Sequence, residues 1–214
     1  MQPNLKQLHQ SAIHSLNQGK IEQAHKALVE LVTLKPDFAD GYFLLAMVNL
    51  TVGQIHKAIK LIEKALTLGQ SIEYTAQLAK CYALTGELQK AKNTALSVPL
   101  KQITKALDAD TLGVALTQAG IHEQALNYFE RAITLSTAAN KAQPQFYYNY
   151  GVSAKFLGLF DKARHAFENA IALNQLHHQS HFALSDLTKV STQNNHIERL
   201  KNVFEQVTHP DAKL

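Results

Sequence analysis

"TLGVALTQAGIHEQALNYFERAITL", residues 111–135, recurs 38 residues further along as "YNYGVSAKFLGLFDKARHAFENAIAL", residues 148–173. With Gly120 laid over Gly158, Gly113 falls on Gly151, Ala125 on Ala163, Phe129 on Phe167 and Ala132 on Ala170. Small and large residues return at the same offsets while most others change. The chain is repeating a packing requirement.

Three more copies surround Gly19, Gly53 and Gly86, so the five glycines are spaced by 34, 33, 34 and 38 residues. Five residues after each stands an alanine: Ala24, Ala58, Ala91, Ala125 and Ala163. Seven before each stands a small residue: Ala12, Ala46, Ala79, Gly113 and Gly151. A period near 34 of this kind marks an array of helix pairs. Two antiparallel helices approach to about 8 Å only where the side chains at their crossing are small. The glycine between them supplies the positive φ that ends the first helix and turns the chain. Leu45, Leu78, Leu112 and Tyr150 on first helices, and Leu28, Ile62, Phe129 and Phe167 on second helices, are predicted to fill the space around each crossing. Ala65, Ala132 and Ala170 leave room for the next pair. One pair cannot bury both faces, so pairs stack into a solenoid.

The totals agree with a globular chain. Of 214 residues, 46% are hydrophobic and 18% charged, enough for a core. Nine glycines and five prolines leave no linker, so residues 1–214 read as a single solenoid domain. The net charge of +4 and pI near 9.0 come from dispersed lysines, the pattern of solvated helix faces and not of a nucleic-acid patch. The single cysteine, Cys81, lies in an apolar helical stretch and reads as a small core residue. The start "MQPNLKQLHQ" has no leader-like apolar run, and no stretch of about eighteen apolar residues occurs. The expectation is a cytoplasmic protein without a membrane partner.

These residues resemble the tetratricopeptide repeat, with its Leu-Gly, turn glycine, Ala, Phe and Ala. The resemblance implies an all-α right-handed solenoid of five repeats, at about 5–38, 39–72, 72–105, 106–139 and 144–177, followed by a degenerate sixth at 178–207. Repeat three departs from the pattern: Pro99 falls within its second helix, which is predicted to stop near Ser97 or kink. The 38-residue spacing predicts an enlarged loop in "STAANKAQPQ". In repeat six, His181 to Val190 reads as the first helix, Thr192 and Ile197 replace the turn glycine and alanine, and Asn194 or Asn195 caps the second helix.

No catalytic pattern accompanies the repeats. There is no phosphate-loop glycine motif, no nucleophile elbow and no His-Glu-x-x-His, so neither an enzyme nor a cofactor is expected. His177 and His181 are four apart beside His178, a spacing that could share a metal, but the cluster straddles a predicted loop and reads as polar side chains facing water. His9, His14, His25, His56, His122, His165, His196 and His209 are dispersed and read as solvent-facing. Asp108 and Asp110 sit at a helix start, where the helix dipole favours acids.

What remains is surface. In the family it resembles, first helices line a concave floor. Carried onto this chain, that floor comprises Ile13, Leu16, Phe43, Met47, Leu50, Lys80, Leu84, Val114, Gln118, Tyr148, Val152, Lys155, Phe156, Phe182 and Lys189. Many are apolar, and exposed apolar surface marks an interaction site. The expected partner is an extended peptide or a partner protein's helix, with aromatic anchors. A covering domain or the chain's own tail is the competing reading, and a homodimer is a further expectation. At the positions where chaperone-carboxylate binders of this family carry lysine, asparagine and arginine, this chain has His9, Ile13, Leu44, Glu73 and Gln77, so that ligand is not expected. "DTLGVALTQAGIHEQALNYFERA", "FYYNYGVSAKFLGLFDKARHAFENAI" and "HFALSDLTKVSTQNNHIERL" are also similar to the N-terminal half of bacterial tetratricopeptide-repeat sulfotransferase fusions. That resemblance implies an acceptor-recognition module whose catalytic, 3′-phosphoadenylyl-sulfate-using half is not in this chain.

Overall fold

The computed structural model describes residues 5–187 and 197–206. Among these there are twelve α-helices, one 3₁₀ turn and no strand. The chain divides into two compact units, Met1–Val98 and Pro99–Leu214. The first holds three pairs: α1 (Leu5–Asn17) with α2 (Ile21–Leu34), α3 (Ala39–Thr51) with α4 (Ile55–Leu68), and α5 (Ile72–Leu84) with α6 (Leu88–Leu96). The second opens with a 3₁₀ turn (Leu100–Gln102). Its pairs are α7 (Ala106–Gln118) with α8 (His122–Ala138), α9 (Pro144–Phe156) with α10 (Phe160–Leu173), and α11 (His178–Leu187) with α12 (Ile197–Gln206). The fold is an all-helical repeat solenoid of the kind read from the sequence.

The two helices of a pair differ in how they are buried. Second helices such as α4 bury one stripe, Ala58, Ile59, Ile62 and Ala65, at i, i+1, i+4 and i+7, positions that share one face of an amphipathic helix. First helices such as α3 bury Gly41, Phe43, Leu45, Ala46, Val48 and Asn49, which covers more than one face. α3 is packed both by its own partner α4 and by the preceding second helix α2. The expected crossing residues are enclosed: Ala12, Ala46, Ala79, Leu28, Ile62 and Phe167 are 0% exposed, and Phe129 is 1% exposed.

At two crossings the complementarity is tightest. The Phe129 ring lies over Gly113 and the Phe167 ring over Gly151. Sixteen residues separate the members of each pair, and the same offset joins Ala12 to Leu28 and Ala46 to Ile62. A flat ring requires glycine opposite it, whereas an aliphatic side chain leaves room for alanine.

The five turn glycines all adopt left-handed φ, from +69° at Gly19 to +78° at Gly86. At Gly158 the amide donates to the Lys155 carbonyl (3.0 Å) and the next amide, Leu159, donates to Ala154 (2.9 Å). These two bonds form the Schellman closure that satisfies the last carbonyls of a helix.

Three local departures have physical causes. The second helix of repeat three ends at Leu96, before Pro99, as the missing amide donor requires. The expected enlarged loop after repeat four is corrected: α8 runs for 17 residues where α10 runs for 14, so most of the extra length becomes another helical turn. Asn140, at φ +52°, closes it with Lys141 donating to the Ser136 carbonyl (2.8 Å), a Schellman end with asparagine in place of glycine. The first helix of repeat six starts at His178 rather than His181. In its second helix, Ile197 is 53% exposed and Val203 makes the buried contact, so Ile197 does not replace the crossing alanine. The expected helix end at Val190, Thr192 and the caps at Asn194 or Asn195 lie outside the described residues.

Candidate functional site

In the first unit, the floor residues show a mixed face. Ile13 and Leu84 are exposed, at 37% and 49%, while Leu16, Met47, Leu50 and Lys80 are half-buried. Phe43 requires correction as an exposed anchor: it is 4% exposed, with its ring stacked on Tyr74 at 4.3 Å. Beside it, the Asp40 carboxylate joins three first helices. Its Oδ2 lies 2.6 Å from His9 Nε2, and its Oδ1 accepts from the Tyr74 hydroxyl at 3.1 Å. Burial first, and then Asp40, push the Tyr74 pKa well above the ordinary phenol range, so the group stays a hydrogen-bond donor.

In the second unit, Val114, Tyr148 and Val152 are half-buried and Gln118 is exposed. Tyr148 lies against Phe167 (5.9 Å) and His177 (5.7 Å). Two phenylalanines stand out from this face: Phe156 and Phe182 are each 71% exposed. Phe156 nevertheless has a fixed partner, because its ring stacks on His122 at 4.2 Å and 8° between planes. His122 Nδ1 lies 3.4 Å from the Ser153 hydroxyl, which is itself 3.0 Å from the Thr117 hydroxyl. Burial holds the His122 pKa below its usual value, favouring a neutral ring. Lys155 pairs with Asp186 on the neighbouring first helix. Lys189 lies outside the described residues.

The histidines divide by position. His14, His25, His56 and His165 are exposed as expected. His9 and His122 are half-buried in the contacts just described, which corrects their reading as solvent-facing; His196 and His209 lie outside the described residues. His181 is 4% exposed, with Nε2 at 2.9 Å from the Gln175 carbonyl, so it is a core residue closing the turn into α11 and does not face water as expected. His177 Nδ1 is 2.9 Å from the Ser180 hydroxyl. Among the described residues no group of three metal-ligating side chains converges. Asp108 lies in the first turn of α7 as expected, although only 7% exposed, whereas Asp110, also 7% exposed, accepts from Asn149 Nδ2 of α9 at 2.8 Å and so joins two first helices. Cys81 is 1% exposed, and burial pushes its thiol up to about 11, far from a thiolate at neutral pH. No described helix is long and apolar enough to cross a membrane.

The residues the sequence reading passed over are the polar ones that stitch neighbouring first helices: Asp40, Tyr74, Thr117 and Ser153. A signal was present, since Asp40 and Tyr74 are 34 residues apart, one repeat period.

Comparisons with known proteins follow the same outline. Residues 10–74 and 144–175 match tetratricopeptide-repeat family models. PilF of Pseudomonas aeruginosa is similar in structure, with TM-score 0.73 and 19% identity over 94% of this chain and 89% of PilF. A chain of the APC/C Cut9-Hcn1 hetero-tetramer gives TM-score 0.71 and 19% identity over 94% of this chain; this chain spans only 40% of that one. A tetratricopeptide repeat protein from Parabacteroides merdae gives TM-score 0.64 and 16% identity, covering 95% of this chain and 78% of the other. At these identities the likeness is one of fold. Among curated protein sequences none matches this chain. Residues 10–74 and 144–175 are thus similar to the tetratricopeptide repeat, and over the rest of the described chain the likeness to these proteins is one of helix-pair fold.

Proposed function

We propose that this protein is a non-catalytic interaction scaffold whose first-helix face takes a peptide or helix of a partner protein. The tetratricopeptide-repeat fold implies a protein–protein interaction role, and one observation carries the finer reading. Phe156 is held in place by its stack on His122, yet leaves 71% of its surface to solvent. A fixed aromatic side chain loses little conformational entropy on binding, which suits it to anchor a ligand. Phe182, equally exposed on the next first helix, lines an apolar pocket with Ile197, Leu200 and Phe204 of α12. Ile13, Met47, Leu50 and Leu84 offer an aliphatic counterpart in the first unit, with Lys80 beside them. No observation favours the sulfotransferase-associated alternative.

The test is a comparison of proteins retained by the wild-type chain and by Phe156→Asp and Phe182→Asp variants, with folding checked by circular dichroism. Both substitutions are expected to leave the helical signal and melting unchanged and to abolish retention of the specific partner. Undiminished retention by well-folded variants would remove the first-helix face as the binding surface.

A further inference from the structure

A second surface lies in the other unit-two groove, walled by α8 and α10 and floored by Tyr147 and Tyr150 of α9. It has a volume of about 700 Å³. The repeats serve as one another's controls for judging it. Eight residues before the turn glycine, three repeats carry Leu45, Leu78 and Leu112, each 7% exposed or less. Repeat five carries Tyr150 there, half-buried, with its hydroxyl donating to Glu130 of α8 at 3.2 Å. A packing position has been given a polar end that reaches the groove wall.

Tyr147 supplies the more telling comparison. Its counterpart in repeat two is Tyr42, over whose ring the Lys64 ammonium sits at 6.0 Å. The residue that corresponds to Lys64, eleven after the turn glycine, is Asn169 in repeat five, and Asn169 lines the groove. Repeat two thus supplies its own cation to the tyrosine, whereas among the described residues no cation sits over the Tyr147 ring, although Lys162 lines the same groove. The two banks also differ in charge. The α8 bank carries Glu130 and Thr134, whereas Lys162 lies on the α10 bank, where Asp161 is already paired with Arg164 at 3.3 Å.

We propose that this groove takes an arginine side chain from an extended segment of a partner protein, its guanidinium lying on Tyr147 and pairing with Glu130. A cation over an aromatic face is favourable within about 6 Å. A planar guanidinium can stack and present paired donors to a carboxylate, which an ammonium cannot. The chain itself carries a net charge of +4, so general electrostatic attraction would not draw a cationic segment here.

The experiment is a heteronuclear NMR titration of the full chain with three blocked ten-residue alanine–proline peptides, identical except for a central arginine, lysine or neutral citrulline. The arginine peptide is expected to shift Thr134, Tyr147, Tyr150 and Asn169 saturably. The lysine peptide should bind at least fivefold more weakly, and the citrulline peptide should not saturate. Asn169→Lys rebuilds the internal cation of repeat two and should abolish binding. Tyr150→Leu, the residue three other repeats tolerate, should weaken it about tenfold without unfolding the chain. Phe156→Asp should leave it unchanged, which separates this site from the first-helix face. Equal binding of the citrulline peptide, unaltered binding by Asn169→Lys, shifts centred on Phe156, or no saturable shift with any peptide would each overturn the proposal.

Discussion

The ring of Phe167 lies so close to Gly151 that a Cβ built on the glycine would stand 2.5 Å from its Cε1. Gly113 stands in the same relation to Phe129, at 2.6 Å. Gly151→Ala is therefore expected to cost about 1–3 kcal/mol through overpacking, read as a shift in the urea midpoint. The double variant Gly151→Ala/Phe167→Leu copies the Ala12 and Leu28 combination of repeat one and should recover part of that loss. If the double variant is as unstable as the sum of its singles, the two positions are not coupled across the crossing.

Gly158 tests the turn rather than the crossing. Nothing lies within 4 Å of a Cβ added there, yet its φ is +72°. Gly158→Ala should destabilise by about 1–2 kcal/mol through backbone strain alone. Gly158→Asn should cost less, because asparagine tolerates this region, as Asn140 does in the same chain. Equal melting temperatures for the alanine variant and wild type would contradict the turn geometry.

Arg131 holds the segment that follows Pro99. Its Nε and Nη2 both donate to the Ile103 carbonyl, at 3.1 and 2.7 Å, and Ile103 is 0% exposed. Arg131→Met keeps the stem but leaves that carbonyl without these donors, and should cost about 1–3 kcal/mol. Hydrogen exchange at residues 100–104 should accelerate more than exchange elsewhere in the second unit. Uniform acceleration would mean that the contact is not a local tether.

His122 and His177 give the chain a pH dependence of definite sign. Burial is the main cause holding both below the ordinary value of 6.5, and for His177 the neighbouring His178 and His181 add to it. The unfolded chain therefore binds more protons than the folded chain as pH falls through 6.5. Stability should be fully present above that value. It should decline as pH drops through 6.5, and level off once the folded-state pKa values are passed. Urea unfolding at pH 7.5, 6.5 and 5.5 measures this. His122→Gln should flatten part of the slope, and a slope of opposite sign would refute the assignment.

The period of 34, the turn glycines and the small crossing residues were all legible in the sequence, because backbone closure and close helix approach each admit few residue types. The end of repeat three at Pro99 was legible for the same reason: a missing amide donor is a local fact. The extra turn of α8 was not, since Asn140 can occupy a left-handed turn end without announcing it as glycine does.

Exposure was decided only by tertiary structure. Phe43 and Phe156 are both phenylalanines expected on the same floor, yet one is covered by Tyr74 and the other stands 71% in solvent on His122. His181 and His165 are chemically identical, and only the first is enclosed. Sequence spacing determines which helix face a residue occupies. Whether that face is covered depends on the side chain that a neighbouring repeat, some thirty residues away, places against it.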